Sequence, residues 1–226
     1  AGGFSPSMSA LAGIHGGMSA IYANTLMTNI LYVLSALFIL TWGPVNAGCT
    51  YIIKNMIKGE PIFMWQDFIG TIKTNWKQAL PMGILDLITI GVSAYSLYMY
   101  YVNYEYYYVM FYAMVLVAII YSFMRTYIYT IMVTFELNFF KIIKNAAIFS
   151  ILGFKRNICA FLAHILLIAL EVLLMFGTGG ILVPLAVAAP LAMLFSTFAF
   201  IKVYASYPKI KQHMIDPYLE EHPEEK

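Results

Sequence analysis

Long apolar runs alternate with short polar stretches along the chain. Five runs are long enough to cross a bilayer core of roughly 30 Å at about 1.5 Å per helical residue. They cover residues 18–42, 79–102, 106–135, 157–176 and 181–201. Three of them hold a single charged residue each, Asp86, Arg125 and Glu171, and the other two hold none. The pattern predicts an all-α, polytopic integral membrane protein with about five transmembrane helices. They would form one helical domain over residues 1–206, followed by an acidic, Pro-containing tail over 207–226 that should be mobile.

The polar stretch between the first two runs has a pattern of its own. In residues 64–78, Trp65, Phe68, Ile69, Ile72 and Trp76 recur at the i, i+3, i+4, i+7, i+11 spacing of one helix face. Gln66, Asp67, Lys73, Thr74 and Lys77 fall away from that stripe. This is the signature of an amphipathic helix. Gly59-Glu60-Pro61 should separate it from the helix before. Two positions suit it. It can lie flat on the cytoplasmic membrane surface, with Trp65 and Trp76 at headgroup level and Lys73 near anionic lipid. It can also serve as a docking helix whose Trp65, Phe68, Ile72 and Trp76 meet a partner.

The basic residues orient the spans. None of the 13 Lys and Arg precedes Lys54. Lys54, Lys58, Lys73 and Lys77 fall between runs one and two. Lys141, Lys144, Lys155 and Arg156 fall between runs three and four, and Lys202, Lys209, Lys211 and Lys226 follow run five. The connections near 103–105 and 177–180 have none. The positive-inside rule then predicts an N-terminus outside and a C-terminus in the cytoplasm. A short echo, IIKN at 52–55 and again at 142–145, hints at two helix-pair repeats.

Composition removes whole classes of function. Hydrophobic residues make up 62% of the chain and charged ones 11%, too few for a water-soluble fold. A formal charge of +2 and the lack of a basic recognition motif argue against nucleic acid as a partner. Cys49 and Cys159 make neither a disulfide framework nor a zinc pattern. The sequence has no GxxxxGK[ST], HExxH or GxSxG, so no catalytic residue, metal ligand or cofactor is expected.

The polar residues within the spans are the candidates for a site: Asn29, Asp86, Arg125, His164 and Glu171. An ionisable side chain in lipid should face protein or water. Asp86 and Arg125 fall at similar depth and can pair, either as a structural ion pair or as a substrate or proton site. Glu171 lacks a basic partner at its level, which suits an ion or proton role or a protonated carboxyl bonded to a neighbouring helix. Asn24, Asn29 and Asn46 suit hydrogen bonds between helices. The tyrosines from Tyr95 to Tyr112 read as an interfacial aromatic belt or as a platform for sugar rings. Pro184 and Pro190 should bend the fifth helix.

One part of the chain carries a resemblance. It lies in LMTNILYVLSALFIL and TWGPVNAGCTYIIKNMIKGEPIFMWQDFIGTIKTNWKQAL, which together cover Leu26–Leu80. An Asn-bearing first helix (Asn29) ends at Gly43-Pro44. The small-residue stretch Asn46-Ala47-Gly48 follows, then the basic helix Lys54–Gly59, then Asp67-Phe68 and Lys73–Gln78. This resembles the YesL family of bacterial membrane proteins, a domain of unknown function. The resemblance implies a small helical protein of the bacterial plasma membrane, and genes of this kind are often found beside carbohydrate-uptake ABC importers. It brings no catalytic residues. The expected function is a non-enzymatic accessory or regulatory subunit of such an importer. The alternative is a small transporter or channel, in either case with the lipid bilayer as solvent and a homo-oligomer possible.

Overall fold

The computed structural model describes residues 26–177 and 195–222. Among these residues the protein is all-helical: α1 (Leu26–Lys58), α2 (Met64–Val102), α3 (Tyr104–Met132), α4 (Phe139–Leu152), α5 (Phe154–Gly177) and α6 (Phe195–Ile210). A π-helical turn, Lys211–Ile215, and a short helix α7, Asp216–Glu221, follow. The helices α1, α2, α3 and α5 are long and apolar enough to cross a membrane. Asn24, Pro184, Pro190 and most of the expected fifth span lie outside the described residues.

The break after α1 follows from its residues. Gly59 takes φ 74°, the left-handed region that favours glycine, and Glu60 N–H returns to the carbonyl of Asn55 at 3.1 Å. Lys58 pairs with Glu60 across this turn. The next helix starts at Met64, and the Asp67 carboxylate accepts a hydrogen bond from the Phe63 amide at 2.8 Å. An acid in the first turn also complements the helix dipole.

Past that point the structure departs from the sequence expectation. The amphipathic segment 64–78 is helical, but it runs without a break into the second span as one helix of 39 residues. No breaker separates Gln78 from Ala79, and Pro81 removes one amide donor without ending the helix. Residues 64–78 thus add about 22 Å of helix ahead of the residues 79–102 that suffice to cross. The expected apolar stripe also divides. Phe68, Ile69 and Ile72 are half-buried, whereas Trp65 and Trp76 at its two ends are exposed. The face that packs inward is rotated from the stripe and includes the polar Thr71 along with Ala79, Met82, Gly83 and Asp86.

The described residues divide into two compact units, 26–38 with 162–177 and 195–198, and 39–161 with 199–222. The core of the second unit is a cluster that joins Ala47, Ala79 and Met82 to Tyr127, Ile131, Ile142, Phe149 and Ile210. Within it α1 and α2 meet backbone to backbone. A Cβ built on Gly43 would run into the carbonyl of Ala79, and one on Gly83 would run into the backbone of Gly43. Gly43 with Ala47, and Ala79 with Gly83, are small residues at i, i+4, the spacing that lets two helices in a membrane approach closely.

The described part of the C-terminal tail is mostly helical. Residues 207–222 are helical or helical turn nearly throughout, because Tyr207 and Ile210 are buried and Met214 and Ile215 pack against the core. The two IIKN copies sit in unlike places. Lys54 is buried near the end of α1, and Lys144 is exposed in the first half of α4.

The bend from α4 into α5 is fixed by a buried polar chain. The Tyr127 hydroxyl donates to Asn157 Oδ1 at 2.9 Å, and Asn157 Nδ2 donates to the carbonyl of Ser150 at 2.9 Å. Gly153 lies directly against the Tyr127 hydroxyl, so no larger residue fits at the turn. Asn157→Ala leaves two buried polar groups without partners and is expected to cost about 2 kcal/mol or more. A thermal melt in detergent reads this, and Asn157→Ala/Tyr127→Phe should lose less than the sum of the two single changes.

Candidate functional site

The charged residues predicted inside the second and third spans come together. Asp86 on α2 is only 2% exposed. The Arg125 Nε on α3 stands 2.8 Å from its Oδ1 and 2.9 Å from its Oδ2. Tyr121, one turn before Arg125, donates its hydroxyl to Oδ1 at 2.8 Å. Trp42 on α1 donates its indole N–H to Oδ2 at 2.9 Å, and the Arg125 guanidinium carbon lies 5.7 Å from the Trp42 ring centre. One carboxylate therefore ties three helices together. Its Oδ1 accepts from Tyr121 and its Oδ2 from Trp42 and Arg125, and the opposite charge sits beside it.

Sequence reasoning missed Trp42 and Tyr121. The first reads as the last residue of a span, and the second is one of 18 tyrosines. A signal was available for Tyr121: it precedes Arg125 by four residues, so the two side chains share a helix face.

Asn29 is exposed on α1, and Asn46 Nδ2 donates to the carbonyl of Trp42 in its own helix at 2.7 Å, so neither amide is seen joining helices. That role falls instead to Asn157 and to a buried Thr130–Ser206 hydroxyl pair at 2.8 Å. His164 and Glu171 belong to the first unit. The His164 ring stacks edge-on to Phe198, with centroids 4.8 Å apart, and its Nε2 approaches the Phe198 carbonyl at 3.4 Å. Glu171 Oε2 is a buried atom with no hydrogen-bond partner among the described residues. Among the described residues no group of three His, Cys, Asp or Glu side chains gathers as metal ligands would.

A separate cleft of about 940 Å³ opens beside the first half of α2. Its walls are Tyr51 of α1, residues from Gln66 to Gln78 of α2, and the connection 132–138. Gln78 Nε2 bonds the Leu137 carbonyl at 3.1 Å, and Lys54 Nζ bonds the Val133 carbonyl at 3.2 Å. These two bonds hold the connection against α1 and α2. Asp86 and Arg125 do not line the cleft. Beyond it, the start of α2 presents Phe63, Met64 and Trp65, with Trp65 78% exposed.

The tyrosines of α2 and α3 are mostly exposed, Tyr95, Tyr98, Tyr101, Tyr106 and Tyr112 among them. Tyr104 and Tyr112 share a hydrogen bond between hydroxyls at 3.0 Å. Outward-facing rings in this number fit an aromatic belt at a membrane interface.

Residues 25–104 match the family model described as Protein of unknown function, DUF624. That segment is a YesL family domain. The DUF624 match takes in α1 and α2 and reaches the first residue of α3. It therefore contains Trp42, Asp86, the Gly43–Gly83 crossing and the aromatic start of α2. Tyr121 and Arg125, which complete the Asp86 cluster, lie beyond it. No curated protein and no solved structure matches the chain.

Proposed function

We propose that the protein is a non-enzymatic accessory or regulatory subunit of the bacterial plasma membrane. In this reading it works with a carbohydrate-uptake ABC importer and docks through the exposed start of α2. The observation that carries the proposal is the length and surface of that helix. At 39 residues α2 is about 58 Å long, nearly twice the roughly 30 Å hydrocarbon core. Residues 79–102 suffice to cross, which leaves the Trp65 end to project from the membrane. With the N-terminus outside and the C-terminus cytoplasmic, that end enters the cytoplasm.

The composition of the projecting end favours a protein partner. Phe63, Met64 and Trp65 are all exposed, and aromatic residues and Met are enriched at the centres of protein interfaces. The family resemblance supplies the partner class, since genes of this family lie beside carbohydrate importers. The Asp86 cluster suits the same role: its carboxylate is already satisfied, so it serves to brace α2 against α1 and α3.

A tagged copy purified in gentle detergent should bring importer membrane subunits with it. Trp65→Ala/Trp76→Ala should reduce that recovery about tenfold or more, as loss of interface anchors does. Purification alone, or only with further copies of itself, would contradict the proposal. One observation favours the second reading, a small transporter: the buried Oε2 of Glu171, without a hydrogen-bond partner among the described residues, is the kind of group that carries a proton or an ion.

A further inference from the structure

The short helix α4 has two faces of different use. Ile142, Ala146 and Phe149 are buried in the core. On the other side Phe140, Lys141, Lys144, Ile148, Ile151 and Leu152 are exposed. At 3.6 residues per turn these six positions occupy one arc of about 120°. Phe140 and Ile151 are each 77% exposed, so the arc has no cover among the described residues. The turn beyond it continues the same surface with exposed Phe154 and Lys155.

We infer that this face of α4 is a binding surface for anionic phospholipid headgroups of the bilayer that the chain itself spans. Three observations select that occupant. First, from Leu137 to Leu170 the chain has four Lys and Arg residues and no Asp or Glu. Second, α4 passes through Gly153 directly into α5, a helix apolar enough to cross the membrane, so the exposed apolar arc begins where a span begins. Third, lysines sit among the apolar residues of the arc. Lysine is depleted at the cores of protein interfaces, whereas at a membrane surface its stem lies along the apolar region and its ammonium reaches the phosphates. The Tyr127–Asn157–Ser150 chain holds the helix in this position. The inference does not depend on the importer as partner.

The test uses the full chain in mixed micelles of equal phosphatidylglycerol and phosphatidylcholine, with retained lipid read by native mass spectrometry. The wild type is expected to keep phosphatidylglycerol over phosphatidylcholine by about tenfold or more, at roughly fivefold per lysine near the surface. Lys141→Gln/Lys144→Gln/Lys155→Gln, all at exposed positions, should lose most of that preference while melting like the wild type. Lys73→Gln/Lys77→Gln, exposed on α2, should keep it. Excess inorganic phosphate should leave the retained lipid in place. No preference in the wild type, equal loss in both variants, or displacement by phosphate would each overturn the inference. They would mean, in turn, no headgroup site, diffuse charge, and a site for free phosphate.

Discussion

Asp86→Leu is expected to destabilise the protein by about 3–5 kcal/mol, the usual cost of leaving a buried charge without its partner. The substitution strands the Arg125 guanidinium and removes the acceptor for Trp42 and Tyr121 at once. Ordinary hydrogen bonds between membrane helices are a poor guide to this magnitude. They average only about 0.6 kcal/mol, because the unfolded chain in a membrane also finds partners. A lone charge in lipid finds no such substitute. The informative companion is therefore Asp86→Leu/Arg125→Leu, which removes both charges and should regain most of the loss. Denaturation in detergent, followed for wild type, both single changes and the double, gives the coupling directly. A strong positive coupling identifies a structural brace. If Asp86→Asn leaves stability unchanged but removes a cellular function, the cluster is a substrate or proton site instead.

The second large effect is expected at the α1–α2 crossing. Gly83→Leu places a branched side chain where the nearest neighbour is the backbone of Gly43, which cannot rotate away. The helices must separate, and Ala47, Ala79 and Met82 lose contacts in the core. The cost should reach about 3 kcal/mol, the upper part of the range for overpacking, and Gly43→Leu should match it. Gly70 and Gly91 are the controls. A Cβ at either meets nothing within 4 Å, so Gly70→Ala and Gly91→Ala should be neutral or stabilising by about 1 kcal/mol. Similar losses at all four glycines would argue that backbone freedom matters here and close approach does not.

The membrane-crossing helices were legible because their signal is length and hydropathy, which survive any detail of packing. The end of α1 was legible because Gly59 and Pro61 act locally on the backbone. The join between residues 78 and 79 was not. A change from amphipathic to apolar composition marks a change of surroundings, and the helix itself can continue across it. The crossing at Gly43 and Gly83 left a readable trace in the spacing of small residues. The Asp86 cluster was half legible: two charges at similar depth suggested a pair, but nothing in sequence selects Trp42 and Tyr121 from so many aromatic residues. Burial of Tyr207 and Ile210 was hidden because the acidic residues after them dominate the composition of the tail.

The functional account rests on where the Trp65 end of α2 projects and what it meets. The most direct measurement is site-specific photocrosslinking in living cells, with a photoreactive residue in place of Trp65 and, separately, of Tyr95 near the other end of the helix. The account predicts that position 65 forms an adduct with a membrane subunit of a carbohydrate importer and that position 95 does not. Adducts at 65 with lipid alone, or with a second copy of this chain, would contradict it.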